Sequence, residues 1–212
     1  MENKKTSEKK DQEQVTESAD PSALYLFFDT ETTGLPRNWY ASHEELDNWP
    51  RVVQIAWVLA NEQKEIIEEN SFIIKPDGFS IPLASSTIHG IDDAKANELG
   101  VALVDVLYTL NQSLTENSPV LVAHNMDFDI NVLGAEFLRA SIQTNFMDLN
   151  RICTMKSSID FCALPNRKFP KLIELYRQLF NHDFEDAHDA LADVSACCRC
   201  FFELKERKII VL

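Results

Sequence analysis

No apolar run in this chain approaches the length needed to cross a bilayer, and its first twenty residues, MENKKTSEKKDQEQVTESAD, contain no apolar segment of the kind a secretory signal requires. Both absences point to a soluble, cytoplasmic protein with no membrane partner. Positive charge is scarce as well: 20 Lys and Arg stand against 34 Asp and Glu, a formal charge of −14. Binding long nucleic acid through a broad basic surface needs many cations to neutralise phosphates, so the charge argues against that mode. A nucleic-acid enzyme is not excluded, because cations held in a carboxylate pocket can supply positive charge locally. The five cysteines, at 153, 162, 197, 198 and 200, are odd in number and three crowd into one expected helix. That is a reduced-thiol pattern rather than a disulfide framework. Nor does any cluster show the Cys and His spacing of a zinc site.

What is present is enough for one core of ordinary size, with 45% hydrophobic residues in 212. Residues 1–21 are polar, carry mixed charge and lack periodic apolar positions, so they are expected to form a disordered tail before a single domain at 22–212. A continuous apolar strand opens the domain at Leu24. PRNWYASHEELDNWPR follows as a long loop, then VVQIAWVLA and Lys64 to Lys75 as two strands joined by a tight turn at Asn61 and Glu62. Pro82 to Gly100 reads as loop and short helix, and Val101 to Thr115 as a helix. PVLVAH is a short buried strand, and Met126 to Ala140 a helix with Asn125 placed to cap it. Residues 148–165 do not resolve beyond a candidate strand at Arg151 to Met155, and helices follow at Phe169 to Phe180 and about Asp189 to Arg207. Meander strands followed by strands alternating with helices predict an α/β domain with a mixed central sheet.

The first strand carries the chemistry. LYLFFDTETTGL ends in Asp29 and Glu31, which alternation places on one side of the strand, roughly 7 Å apart. Like charges so placed repel unless a cation sits between them, and a divalent metal is the simplest candidate. Two further acidic clusters can join them. His124-Asn125-Met126-Asp127-Phe128-Asp129 follows the second buried strand, where α/β proteins place their sites, and Ala187-His188-Asp189-Ala190-Leu191-Ala192-Asp193 opens the last helix. Carboxylates are hard oxygen donors suited to magnesium or manganese.

DTETTGL, HNxxFD and HxALxD, in that order and at those intervals, resemble the three motifs of the DEDDh (DnaQ-like) 3′-5′ exonucleases, the family related to the ε subunit of bacterial DNA polymerase III. Thr87-Ile88-His89-Gly90-Ile91 and Lys171-Leu172-Ile173-Glu174-Leu175-Tyr176 resemble the family's linking loop and penultimate helix. The resemblance runs from about Leu24 to Leu204. It implies a ribonuclease H-like fold, with Asp29, Glu31, Asp129 and Asp193 around two divalent ions, Mg2+ or Mn2+, and His188 as general base. It also implies that Thr33, Gly34 and Leu35 lie against the terminal nucleotide, and it makes Thr32, His89, Asn125 and Phe128 further candidate substrate contacts. A histidine titrates near neutrality, so activity is expected to fall in acid as His188 becomes charged.

Other readings stay open on the residues themselves. Helical spacing pairs Asp193 with Asp189, and only the family resemblance selects Asp193 as the ligand. His124 and Asn125 also fit as organisers of a strand-to-helix turn, and His89 as a loop histidine. Trp39, Tyr40 and Trp49 either stack on unpaired bases or anchor their loop. Arg151, Lys156, Arg167, Lys168, Lys171 and Arg177 are either phosphate contacts or a solvated face. The expected activity is removal of nucleoside 5′-monophosphates from the 3′ ends of single-stranded nucleic acid, DNA in preference to RNA, in proofreading or repair. The alternatives are an RNA or oligoribonucleotide exonuclease and a non-catalytic, polymerase-associated binding module. A DNA polymerase is a candidate partner, although the short stretch after the last helix is expected to leave no room for a tethering domain.

Overall fold

The computed structural model describes residues 23–211, so the tail expected at 1–21 lies outside the described residues. A five-stranded sheet has the order β3-β2-β1-β4-β5. β1 (Leu24–Thr32) pairs antiparallel with β2 (Val52–Asn61), which pairs antiparallel with β3 (Ile66–Ile73). On its other side β1 is parallel to β4 (Val120–Ala123), and β4 is parallel to β5 (Arg151–Cys153). The expected mixed sheet with an antiparallel meander is therefore present.

β1 is central because it is apolar on both faces. Leu26 and Phe28 join one hydrophobic cluster and Tyr25 and Phe27 the other, as strand alternation requires. Two short helices, α1 (Leu83–His89) and α2 (Asp93–Leu99), follow the meander. α3 (Leu103–Asn117) and α4 (Met126–Arg139) then cover the Leu26/Phe28 face through Leu107, Leu110, Ile130, Leu133 and Phe137. After β5 come two single-turn helices, α5 (Thr154–Ser157) and α6 (Ile159–Cys162). α7 (Leu172–Phe180) and α8 (Ala190–Glu206) cover the opposite face through Leu175, Leu179, Val194, Cys197 and Phe201. All five cysteines are free.

Parity decides where the polar residues of β1 go. Asp29 and Glu31 share the α7/α8 side with Tyr25 and Phe27, whereas Thr30 faces the α4 side. A register shift between Glu31 and Thr32 ends regular pairing with β2 at this point. Asn125 occupies the N-cap position of α4 but makes no side-chain cap hydrogen bond, contrary to expectation. Its backbone is left-handed, φ 75° and ψ 47°, a conformation asparagine tolerates better than most residues. The turn it permits lets the chain reverse from β4 into α4.

Candidate active site

Four acidic side chains from three elements meet at the end of β1. Asp129, in the first turn of α4, is 2% exposed. It accepts hydrogen bonds at Oδ1 from Thr30 N at 3.1 Å and Thr30 Oγ1 at 2.7 Å. The residue between Asp29 and Glu31 thus ties α4 to the strand that carries them. Asp193 lies in the first turn of α8, and His188 lies just outside that helix. The five-residue spacing does not suit a continuous helix, and the structure resolves this with a left-handed His188, φ 74°. The backbone N–H of His188 donates to Asp193 Oδ2 at 3.1 Å. One ligand atom each of Glu31, His188 and Asp193 lie within 4.8 Å of one another.

Asp189 is used differently. Its Oδ1 accepts from Leu191 N at 3.1 Å and Ala192 N at 3.2 Å, and its Oδ2 from Gln54 Nε2 at 3.0 Å. Both oxygens are occupied in capping the helix and fastening it to β2. Asp193 accepts the His188 N–H at Oδ2, and none of these capping bonds involves its Oδ1.

Crowding shows in the protonation equilibria. Burial first, and then Asp129, Asp193 and Glu31, hold the Asp29 carboxyl well above the usual range. Burial, followed by Asp193 and Asp129, raises Glu31 to about 8. Burial raises Asp129 to about 7 against the opposing bonds from Thr30. Asp193 is raised to about 6, again mainly by burial, with the His188 N–H opposing. Four hard carboxylates that repel one another suit divalent oxygen-seeking cations, so the donor set fits Mg2+ or Mn2+.

A stability profile tests the crowding. A carboxyl whose folded pKa exceeds its unfolded value costs stability once the pH passes the unfolded value near 4, and the cost grows until the pH passes the folded value. His124, lowered to about 4 chiefly by burial, acts oppositely, with stability lost as the pH falls below its unfolded value of about 6.5. Above that point the carboxyls dominate. Thermal unfolding of chelator-treated protein should therefore show a midpoint that declines from about pH 6.5 to about pH 8.5. A midpoint that rises across this interval would contradict the electrostatic picture.

The remaining candidates divide by role. Thr32 Oγ1 donates to Gly34 O at 2.7 Å and closes the turn. Thr33 N donates to Arg51 O at 2.9 Å, and Arg51 N donates to Thr33 Oγ1 at 3.0 Å. Gly34 has φ 152°, and no atom lies within 4 Å of where a Cβ would stand, so the ledge beside it is open. Leu35 is 73% exposed. His89 accepts at Nδ1 from Ile91 N at 3.2 Å, so its Nε2 carries the proton, buried and turned toward the Thr32 backbone. Burial lowers its pKa, against the Thr32 backbone and with Lys95 and His188 adding to the effect. His124 bonds Thr154 Oγ1 at 3.0 Å and Pro170 O at 2.9 Å, which joins β4 to α5 and to the segment before α7.

The basic group at 151–177 behaves as a solvated face. Lys156, Arg167, Lys168 and Arg177 pair with Asp127, Asp160, Glu174 and Asp183.

Gln54 was not singled out from the sequence. It stands opposite Glu31 in the β1/β2 register, is 5% exposed, and besides its bond to Asp189 accepts from Ala190 N at 3.3 Å. The available signal was a lone amide inside VVQIAWVLA, a strand otherwise apolar on both faces. Gln54→Leu would leave the start of α8 unpinned and is expected to lower activity roughly 10- to 100-fold, with a higher divalent-ion requirement. Steady-state rates against metal concentration check this, and an unchanged metal requirement would count against it.

A family model described as exonuclease, of the RNase T type, matches residues 26–201. This chain belongs to that exonuclease family. More narrowly, it is a member of the DnaQ-like DEDDh group. The exonuclease domain is 30% identical over 186 residues to a DNA polymerase III subunit epsilon-like protein from Rhodobacter capsulatus, covering 85% of this chain but 23% of that protein. Its fold is similar to that of E. coli Exonuclease I in complex with a dT13 oligonucleotide, with TM-score 0.71, 22% identity, and coverage of 88% of this chain and 42% of the other. A zinc-bound form of the E. coli ExoI–ssDNA complex gives TM-score 0.69, 22% identity, and coverage of 88% and 41%. The chain thus spans less than half of each of these relatives. Its fold is the ribonuclease H-like exonuclease fold.

Proposed function

We propose that this exonuclease acts from the 3′ end of single-stranded DNA, releasing nucleoside 5′-monophosphates with the help of two divalent cations. The convergence of Asp29, Glu31, Asp129 and Asp193 with His188 at the end of β1 carries the reading. Bound among these carboxylates, paired Mg2+ or Mn2+ ions would supply charge stabilisation for the attacking and leaving oxygens of an in-line displacement. His188 takes the proton from the attacking water, and its solvent-exposed position at the cleft rim lets that proton leave. Asp193 holds the backbone of His188 in its left-handed conformation and so fixes where the imidazole starts. The open ledge of Thr33, Gly34 and Leu35 receives the terminal nucleotide, the Thr32 hydroxyl closes the turn beneath it, and His89, turned toward the Thr32 backbone, backs it. Asn125 and Phe128 flank Asp129 and complete the contact set.

DNA is preferred over RNA because the similar solved structures include Exonuclease I with a dT13 oligonucleotide, and a proofreading or repair setting beside a DNA polymerase follows the epsilon-like relative. No helix among the described residues is long and apolar enough to cross a membrane. The test uses 5′-labelled DNA and RNA oligomers with Mg2+ or Mn2+. DNA should shorten stepwise from its unlabelled 3′ end with release of 5′-mononucleotides. Immediate release of the labelled nucleotide would overturn the polarity, and faster loss of RNA would overturn the substrate.

A further inference from the structure

The excursion between β1 and β2 spends several hydrogen bonds on holding an aromatic side chain in water. Asn38 N donates to Asn48 Oδ1 at 2.7 Å, and Asn48 Nδ2 donates back to Asn38 O at 2.9 Å. Tyr40 N donates to Asn38 Oδ1 at 3.0 Å. Trp49 is the anchor of this loop, 3% exposed, with Nε1 donating to Ser42 O at 2.9 Å, and Arg139 Nη2 reaches the Trp49 carbonyl at 2.8 Å. Trp39 is different. It remains 47% exposed, and its ring lies 5.8 Å from that of Phe128 at an interplanar angle of 44°. Phe128 immediately precedes Asp129 in the first turn of α4, so the exposed indole packs at the helix end that carries the cleft carboxylate.

Two observations say what this surface is for. Ordering a loop around a half-exposed indole costs conformational entropy that burial of the ring does not return. The protein also lacks the usual source of strand affinity, since its net charge is −14 and most of the cations at 151–177 are paired with neighbouring acids. Stacking of bases on aromatic faces supplies affinity that depends neither on sequence nor on a basic groove. We propose that Trp39, backed by Phe128, is a stacking surface for a nucleobase of the single strand whose 3′ end enters the cleft. This rests on the exonuclease reading given above. The loop brace keeps the indole ready, so the strand meets a preformed platform.

The chain contains three tryptophans, and Trp49 and Trp57 are 3% and 0% exposed, so Trp39 is the one that solvent and a ligand reach. Full-length protein is titrated with a fluorescein-labelled oligothymidylate, Ca2+ replacing Mg2+ to slow turnover, while anisotropy reports binding. A matched unlabelled oligomer reports through tryptophan emission. Binding should quench the emission, and Trp39→Phe should remove the quench. An oligomer of equal length built from abasic residues should bind more weakly and leave the emission unchanged. Trp39→Ala should weaken binding and raise KM roughly tenfold, with a far-ultraviolet spectrum and unfolding midpoint like the parent's. Binding by anisotropy without quenching, or Trp39→Ala binding as tightly as the parent, overturns the stacking surface and leaves the exonuclease reading standing. A parent protein that neither binds nor shortens the strand overturns the exonuclease reading, and this proposal with it.

Discussion

Asp29→Asn is expected to reduce strand shortening by a factor on the order of 10³ or more while the protein stays folded. Asp29 feels Asp129, Asp193 and Glu31 together, so it sits at the electrostatic centre of the cluster. Losing its charge removes a donor shared by the whole site, and several kcal/mol of transition-state stabilisation, at 1.36 kcal/mol per decade, is about a thousandfold. The same change removes like-charge repulsion, so chelator-treated Asp29→Asn protein at about pH 8 should unfold at a higher temperature than the parent. Activity and stability then move in opposite directions. A variant that loses both would mean that Asp29 serves the fold, and one that keeps its rate would remove the carboxylate cluster from the reaction.

Glu136→Met should cost roughly 3–5 kcal/mol of unfolding free energy, the scale for breaking a buried ion pair from one side. Glu136 is fully buried in α4, two turns beyond Asp129. Its Oε1 accepts from Arg51 Nε at 2.8 Å and from Val52 N at 3.2 Å, and pairs with Arg139 Nη1 at 3.0 Å. Methionine matches the volume but leaves Arg51 Nε and Val52 N without their acceptor and Arg139 without its anion. Because the backbone of Arg51 braces Thr33, the variant should also bind substrate less well. Glu136→Gln, which keeps one carbonyl oxygen, should be milder. Urea unfolding of both variants measures the difference; equal stabilities would mean that the shape of the side chain, and not its acceptor, matters here.

The sheet was legible because β1 and β2 are apolar enough to be central, and period-3.6 spacing marked the helices that cover them. The acidic clusters were legible as three groups at element ends. Physical reasons explain what was not. Spacing could not choose between Asp189 and Asp193, because the choice depends on Gln54, a residue 135 positions away in the chain from Asp189. Asn125 stands where a cap belongs, but whether a side chain caps depends on backbone geometry that composition does not encode. Residues 148–165 break into a short strand and single-turn helices, each too short to show a period. The aromatic loop separated into an anchor, Trp49, and two exposed rings, Trp39 and Tyr40, only when burial was known.

The most direct test of the central claim is an anomalous difference map from crystals soaked in Mn2+. The account predicts two peaks in the cleft bounded by Asp29, Glu31, Asp129 and Asp193, both lost in Asp29→Asn. Protein that shortens DNA in Mn2+ yet shows no manganese between these carboxylates would contradict it.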